Sequence, residues 1–240
     1  MAAYKDLIGQ KITKVTSNPG EPKTGQMWYN STNGFLRALG INEAFSSSSS
    51  LANAREGAAG FGTQTAALTC GGEIPAVTNL TEEYNGTGYS AGGNMNTARF
   101  RHSGVGTQTA GIIFGGYPTP NGTATETYNG TAWTTSPYSL NTSRDSFAGA
   151  GIQTSALAFG GKPGYKNNTE EYDGEGWTSV NNLNTSRNSL MGAGSNAEEC
   201  LAFGGETSSP PSVSTNATES WDGTNWTTVN NMNTARYGAY

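Results

Sequence analysis

The stretch TETYNGTAWTT (residues 125–135) decides the fold, because the chain repeats it. It sets a glutamate two residues before a tyrosine, continues with Asn-Gly and then places a tryptophan. The pattern recurs as TEEYNGTGY (81–89), TEEYDGEGW (169–177) and TESWDGTNW (218–226). Asn-Gly and Asp-Gly close hairpins, because both central residues of the tight turn need positive φ. Each copy therefore predicts a strand, a hairpin turn and a second strand.

Two further anchors recur with this pattern. A glycine pair ends an apolar segment such as TSALAFGG (154–161) and returns every 44 or 45 residues, at 71–72, 115–116, 160–161 and 204–205. An arginine follows a short polar stretch and precedes a Gly/Ala-rich segment such as SFAGAG (146–151). The arginines are Arg55, Arg99, Arg144, Arg187 and Arg236. Each unit therefore predicts four strands, and a four-stranded unit of this period is typical of a β-propeller blade.

The glycine pair, the Glu-x-Tyr strand, the second aromatic and the junction arginine resemble Kelch repeats over residues 45–240. The resemblance implies an all-β, Kelch-like propeller at 44–240, with four full repeats. Phe45 stands ten residues before Arg55, so AFSSSSSLANAR (44–55) is predicted to be the last strand of a blade. From that phase we predict that the natural protein continues beyond Tyr240. The alternative is an open or four-bladed ring that ends there.

Residues 1–43 do not fit the repeat. KITKVTSNP (11–19) predicts a strand, and QMWYNSTNGFLRAL (26–39) predicts a hairpin around Asn33-Gly34. This part resembles the short N-terminal modules of phage fibre and appendage proteins. The resemblance implies a β module that docks on the virion or on a partner subunit. An extra strand pair covering the propeller is the alternative.

The acid of the opening stretch, Glu126, looks at first like a catalytic residue beside aromatic sugar platforms. It has a counterpart in every repeat, and the set is Glu82, Glu126, Glu170 and Glu219. A catalytic acid has its pKa tuned by one environment at one place. A repeated acid instead predicts a structural ion pair, and the five repeated arginines are the candidate partners. The second aromatics are likewise predicted to pack between blades: Tyr89, Trp133, Trp177 and Trp226.

Metal and cofactor chemistry find little support in the sequence. Kelch-type copper oxidases need histidines, and this chain has one, His102, which is predicted to be an ordinary strand residue. Cys70 and Cys200 are predicted to be buried free thiols. We find no facial triad, Cys-x-x-Cys, nucleophile elbow or phosphate-binding loop. The expectation is no catalytic residue, no metal and no cofactor.

The loops after the glycine pairs differ sharply: EIPAVTN (73–79), YPTPNGTA (117–124), KPGYKNN (162–168) and ETSSPPSVSTNA (206–217). Irregular loops on a rigid scaffold often carry binding. Their polar and aromatic side chains suit contacts with sugars or peptides, while drift at exposed turns is the equally weighted alternative. The candidate binding residues are Tyr117, Asn121, Lys162, Tyr165, Asn167 and Asn168.

A net charge of −5 without any Lys/Arg run argues against nucleic acid and against an anionic membrane surface. No apolar run is long enough for membrane insertion. The polar sequence of the repeats, as in NMNTAR and GTQTAA, resembles that of Kelch-type proteins of tailed, especially marine, bacteriophages.

That resemblance implies a non-enzymatic virion protein of a tail, fibre or other appendage, made in the host cytoplasm and present in several copies per particle. The N-terminal segment would contact other virion proteins, and the loops would contact a host-surface glycan or protein. A purely structural protein that decorates the capsid or neck is the alternative. A glycan-cleaving enzyme is the less favoured third.

Overall fold

The computed structural model describes residues 13–16, 27–32, 34–38, 48–118, 121–208 and 211–238. The chain divides into two compact units, Met1–Ser47 and Ser48–Tyr240. The division lies a few residues beyond the predicted boundary between 43 and 44. Within the described parts every regular element is a strand, apart from one short 3₁₀ turn.

The first unit contains a three-stranded sheet of β1 (Thr13–Val15), β2 (Met27–Asn30) and β3 (Phe35–Ala38). β1 pairs parallel to β2, and β2 pairs antiparallel to β3. Gly34 has φ +72°, and its N–H donates to the Asn30 carbonyl over 2.9 Å. The predicted hairpin is therefore confirmed.

The second unit is a four-bladed β-propeller, and each blade is a four-stranded antiparallel sheet whose strands follow in chain order. Blade 1 consists of β4 (Ala59–Thr63), β5 (Ala66–Cys70), β8 (Thr81–Tyr84) and β9 (Tyr89–Ala91), with a small ribbon of β6 (Glu73–Ile74) and β7 (Ala76–Val77) in its loop. Blade 2 consists of β10 (Ser103–Thr107), β11 (Ala110–Phe114), β12 (Thr125–Tyr128) and β13 (Trp133–Thr135), with the 3₁₀ turn at Asn121–Thr123. Blade 3 consists of β14 (Ala148–Ile152), β15 (Ser155–Phe159), β16 (Thr169–Tyr172) and β17 (Trp177–Val180). Blade 4 consists of β18 (Met191–Gly194), β19 (Cys200–Phe203), β20 (Thr218–Trp221) and β21 (Trp226–Val229). The predicted all-β propeller with four full repeats is confirmed.

The hairpins between the third and fourth strands form, but the predicted turn geometry is wrong. Tyr128 pairs directly with Trp133, so the loop has four residues, and only its glycine, Gly130, has positive φ. The Asn129 side chain closes the loop instead, because its Oδ1 accepts the N–H groups of Thr131 and Ala132.

The first strand of each blade lies innermost, so that β4 packs on β10, β10 on β14 and β14 on β18. These strands are rich in glycine because the preceding blade presses an aromatic ring against them. A Cβ on Gly149 would lie 2.7 Å from Phe114, and one on Gly192 would lie 2.7 Å from Phe159. Glycine at these positions lets neighbouring blades approach closely.

The tryptophans that begin the fourth strands join each blade to the one before it. Trp133 Nε1–H donates to Thr81 Oγ1 over 3.0 Å, and Trp177 makes the same bond to Thr125 over 3.2 Å. Trp226 repeats it with a partner in blade 3. Buried indole N–H groups need such an acceptor. The prediction that these tryptophans pack between blades is confirmed.

A hydrogen-bonded chain of left-handed residues also links the blades. Each of these residues lies two positions after a repeat arginine and has φ between +50° and +63°: Gly57, Arg101, Ser146, Ser189 and Gly238. The N–H of each later member donates to the carbonyl of the member before it, over 2.6 to 3.0 Å. One hydrogen bond per junction therefore holds the connections of successive blades in register.

The strand predicted for residues 44–55 is wrong for the part that the structure describes, because residues 48–55 form no strand. This serine-rich segment has little apolar alternation to place on a sheet face. It instead lies along blade 1, where Ser49 Oγ donates to the Thr87 carbonyl and the Ala52 N–H donates to Glu82 Oε2. Residues 44–47 lie outside the described residues.

Candidate functional site

The four repeated glutamates each form a buried ion pair with a repeat arginine. The pairs are Arg55–Glu82, Arg99–Glu126, Arg144–Glu170 and Arg187–Glu219. The Nη2–Oε1 distances of the last three are 2.6, 2.6 and 2.7 Å. The arginine comes from the connection that enters a blade, and the glutamate comes from the third strand of that same blade. Each pair therefore fixes the entrance of the chain to its own sheet.

The environment of Glu126 shows what the carboxylate does. Besides Arg99, it accepts the backbone N–H of Asn96 over 2.7 Å and that of Thr97 over 3.2 Å. Arg99 Nη1 donates to the carbonyls of Gly115 and Ala124. Burial lowers the pKa of the Arg99 guanidinium, and the charge of Glu126 opposes that shift. The carboxylate is committed to charge-assisted hydrogen bonds within the scaffold, as the repeat predicts.

The fifth repeat arginine, Arg236, is placed differently. Its side chain is exposed and has no carboxylate partner among the described residues, although its carbonyl accepts the Gly205 N–H as in the other repeats. The face of blade 4 beside it is also open. Leu201 is 40% exposed, whereas Leu157, at the same position of blade 3, is fully buried. Arg236 therefore shares the backbone role of the repeat but not its ion pair.

Tyr117, which follows the glycine pair of blade 2, is an exposed loop candidate. The Tyr117–Pro118 peptide bond is cis, and the ring is 47% exposed. It lies edge-on to Phe100, with ring centroids 5.5 Å apart, and the two backbones are paired. The Arg101 guanidinium stacks over the Phe100 ring, with Cζ 4.9 Å from the ring centroid. Tyr117 is thus an accessible aromatic ring on a well-supported loop.

The blade 3 candidates are partly used by the scaffold. The Asn167 side-chain amide donates to the Leu183 carbonyl over 3.3 Å, and the Asn168 carbonyl accepts Arg144 Nη1 and the Gly160 N–H. Lys162 is half-buried, and its backbone pairs with Asp145. Tyr165 is half-buried, and Asn121 lies in the 3₁₀ turn. A binding role for these residues stays a prediction.

A cavity that the sequence did not reveal lies beside the Tyr117 loop. It has a volume of about 610 Å³, and we call it the Arg101 cavity. It is lined by Leu51, Arg55, Glu56, Gly57, Ala58, Ala59, Gly60, Thr69, Phe100, Arg101 and Gly238. Tyr117, Lys162, Tyr165, Asn167 and Asn168 do not line it, but Phe100, on which Tyr117 packs, does. The cavity combines an aromatic ring with side chains of both charges.

The sequence held one signal for this cavity. Two positions after the repeat arginine the other repeats have Gly or Ser, and only blade 2 has Arg101 there. A residue with a long, positively charged side chain is uncommon in the left-handed backbone conformation, because that region favours glycine. The substitution therefore marks a departure from the scaffold pattern.

The described parts of the chain were also searched for clusters of metal-binding side chains and for membrane-spanning helices. They hold no group of three or more His, Cys, Asp or Glu side chains that could bind a metal ion. None of their helical segments has the length and apolar character needed to cross a membrane. Cys70 and Cys200 are buried free thiols, as predicted.

Comparisons with protein-family models and with curated proteins find no match. No protein-family model matches the chain, and no curated protein matches it significantly. Functional reasoning therefore rests on the residues and their geometry.

Proposed function

We propose that this chain is a virion protein of a tailed bacteriophage appendage, and that its propeller binds a host-surface glycan at the Tyr117 loop and the Arg101 cavity. The observation that carries the binding role is the placement of an exposed Tyr117 against Phe100, which lines that cavity together with Arg101. The proposed phage origin rests on the resemblance of the polar repeat sequence to Kelch-type proteins of tailed bacteriophages.

The chemistry of this region suits a sugar. Aromatic rings present apolar faces to the C–H side of a pyranose, and tyrosine adds a polar edge. Charged side chains at a cavity rim form hydrogen bonds with hydroxyl groups, and Glu56 and Arg101 provide an acceptor and donors. Ligand sites are concave, with a few convergent polar groups among apolar ones.

The scaffold supports binding in preference to catalysis. The four repeated carboxylates lie in buried ion pairs with arginine, away from solvent. In contrast, the loops after the glycine pairs and the connections between blades lie at the same end of each sheet, as the antiparallel strand order requires. Variation is therefore concentrated at one end of a rigid frame, which is the arrangement of a binding surface.

The proposed mounting element is the separate first unit, Met1–Ser47. A unit with its own sheet can contact other virion proteins while the propeller faces the host. Deleting residues 1–47 is expected to abolish incorporation into particles and to leave glycan binding by the purified propeller unchanged.

The test is the binding of fluorescently labelled full-length protein to a panel of bacterial cells and to their purified surface polysaccharides. Tyr117→Ala and Arg101→Ala are each expected to weaken binding at least about tenfold, as hot-spot losses above about 1.4 kcal/mol do. Tyr138→Ala is the matched control, because Tyr138 is a similarly exposed tyrosine that does not line the cavity.

Three outcomes would contradict the proposal: no binding to any cell or polysaccharide, equal loss with the Tyr138 control, or indifference to both substitutions. Binding that is indifferent to these residues but accompanied by tight assembly with other virion proteins would favour the decorating role. Release of oligosaccharides by the purified chain would favour an enzyme.

A further inference from the structure

Three side chains with soft donor atoms meet at the junction of blades 1 and 2. They are Cys70, at the end of β5, Met95, in the connection between the blades, and His102, which precedes β10. Their exposed fractions are 0%, 1% and 6%. All three are therefore removed from bulk solvent.

The other two junctions have only hydrocarbon side chains at the same repeat positions. The first position directly precedes the glycine pair, the second lies four residues before the repeat arginine, and the third lies three residues after it. Blades 2 and 3 meet through Phe114, Leu140 and Phe147. Blades 3 and 4 meet through Phe159, Leu183 and Leu190. At the first junction all three hydrocarbon positions are replaced at once, and each replacement is a potential metal ligand.

The geometry brings these three side chains together. Cys70 Sγ lies 3.8 Å from His102 Nε2. His102 Cε1 and Met95 Cε lie 2.6 and 3.1 Å from the point that a Cβ on Gly71 would occupy, so both side chains end beside the same glycine. In the junction of blades 2 and 3 the corresponding point beside Gly115 is occupied by the Phe147 ring, at 2.7 Å. The cluster thus has the same framework as its hydrocarbon counterparts.

Packing alone does not account for the imidazole. His102 Nδ1 is buried and has no hydrogen-bond partner among the described residues. Leaving a buried polar atom unsatisfied destabilises the fold, and a phenyl or leucine side chain at this position avoids that cost. An imidazole that binds a metal ion through Nε2 is neutral and keeps its proton on Nδ1.

We propose that Cys70, Met95 and His102 bind one copper(I) ion at this junction. Thiolate and thioether sulfur are ligands that select copper(I), and imidazole also suits copper. The 3.8 Å between Sγ and Nε2 leaves room for an ion between them with little movement. The Cys70 S–H bond breaks, its proton passes to solvent, and bonds from Cys70 Sγ, Met95 Sδ and His102 Nε2 to copper form with no change of oxidation state.

Charge selects the monovalent ion. Copper(I) with one thiolate and two neutral ligands has no net charge, and a neutral complex avoids most of the cost of burying an ion. A zinc ion with the same three donors would keep a positive charge close to Arg99, and structural zinc sites use four donors. The cavity among the inner strands, about 200 Å³ in volume, offers an approach, because His102 is among its lining residues.

The experiment titrates the full-length protein with copper(I) under nitrogen, against a colorimetric copper(I) chelator. The wild type is expected to withdraw one equivalent, to release one proton per ion and to gain ultraviolet thiolate-to-copper absorption. Cys70→Ser and His102→Phe are each expected to abolish this uptake. Met95→Leu removes one of the three ligands and is expected to weaken uptake by at least about 10-fold, the smallest loss that removal of an outer-shell partner causes at metal sites.

Two controls make the result decisive. Cys200→Ser removes the other buried thiol and is expected to leave uptake unchanged. The triple variant Cys70→Phe, Met95→Leu, His102→Phe installs the residues of the junction between blades 2 and 3 and is expected to fold and take up no copper. No uptake by the wild type, uptake that survives Cys70→Ser, loss with Cys200→Ser, or tighter binding of zinc than of copper(I) would each overturn the proposal.

Discussion

Replacing Glu126 by Gln tests whether the repeated acids hold the blades together. The carboxylate accepts three hydrogen bonds, from Arg99 Nη2, the Asn96 N–H and the Thr97 N–H. A glutamine has one carbonyl oxygen, which can retain the bonds of Arg99 and Thr97. Its NH₂ group would then face the Asn96 N–H, and the charge of the buried guanidinium would lose its partner.

The magnitude follows from these two losses. A buried N–H left without an acceptor costs about 1–3 kcal/mol. Breaking a buried ion pair by removing one partner costs about 3–5 kcal/mol in all. Both groups of the Arg99–Glu126 pair are fully buried, so we expect the upper range to apply. Against the usual unfolding free energy of about 5–15 kcal/mol, this loss is large.

The assay is urea unfolding followed by tryptophan fluorescence, together with amide hydrogen exchange. Repeat architectures can unfold in parts, so exchange at the Asn96 and Thr97 amides gives the local free energy directly. Glu199→Gln is the matched control, because Glu199 is exposed, and we expect it to change stability by less than about 0.5 kcal/mol.

A double-mutant cycle completes the test. In the Arg99→Met background, Glu126→Gln is expected to lower the free energy of unfolding clearly less than it does in the wild type, because no buried charge is then left without a partner. A loss below about 1 kcal/mol for Glu126→Gln would refute the reasoning, as would strict additivity with Arg99→Met. Loss of an activity at unchanged stability would show that the acid acts on a substrate.

Three further predictions concern stability. Burial lowers the pKa of His102 to about 3, from an unfolded value of 6.5. Between these two values the unfolded state binds one more proton than the folded state, so the free energy of unfolding decreases as the pH is lowered through that window. We expect His102→Phe to remove about 3 kcal/mol of the loss between pH 7 and pH 4, measured by urea unfolding at each pH. Leu157→Ala is expected to cost about 2–5 kcal/mol, and the same change at the exposed Leu201 less than about 1 kcal/mol, in the same assay. Gly106→Ala, where φ is +110° and a Cβ would lie 2.3 Å from the Ala110 carbonyl oxygen, is expected to lower the melting temperature markedly, while Gly176→Ala, with open space around it, is not.

The features that could be predicted from sequence are those that the repeat states several times. Each blade contains one Asn-Gly or Asp-Gly hairpin, one glycine pair and one arginine–glutamate ion pair. Comparing copies therefore separates Glu126 from a catalytic acid without coordinates. Local propensity and the repeat agree at these positions, which makes the inference reliable.

Single departures from the repeat could not be interpreted in the same way. The prediction that His102 is an ordinary strand residue is wrong, because His102 lies just before β10. Its surroundings could not be inferred from the sequence, since its neighbours Cys70 and Met95 come from other parts of two blades. Only the packing of β5 against the next blade brings the three together. The Arg101 cavity likewise depends on how the connection after blade 1 lies beside β4. Residues 48–55 were mispredicted because their phase matched a strand while their composition did not.

The ion pairs have a consequence for how the loops can change. From arginine to glutamate the chain runs 27, 27, 26 and 32 residues in the four blades. The longest of these spans includes ETSSPPSVSTNA, yet its Arg187–Glu219 distance of 2.7 Å is close to the 2.6 Å of the shorter ones. An insertion between the glycine pair and the third strand therefore leaves the ion pair intact. The same property makes these four sites natural places for grafting foreign peptides, and it lets such loops diversify without renewed selection for folding.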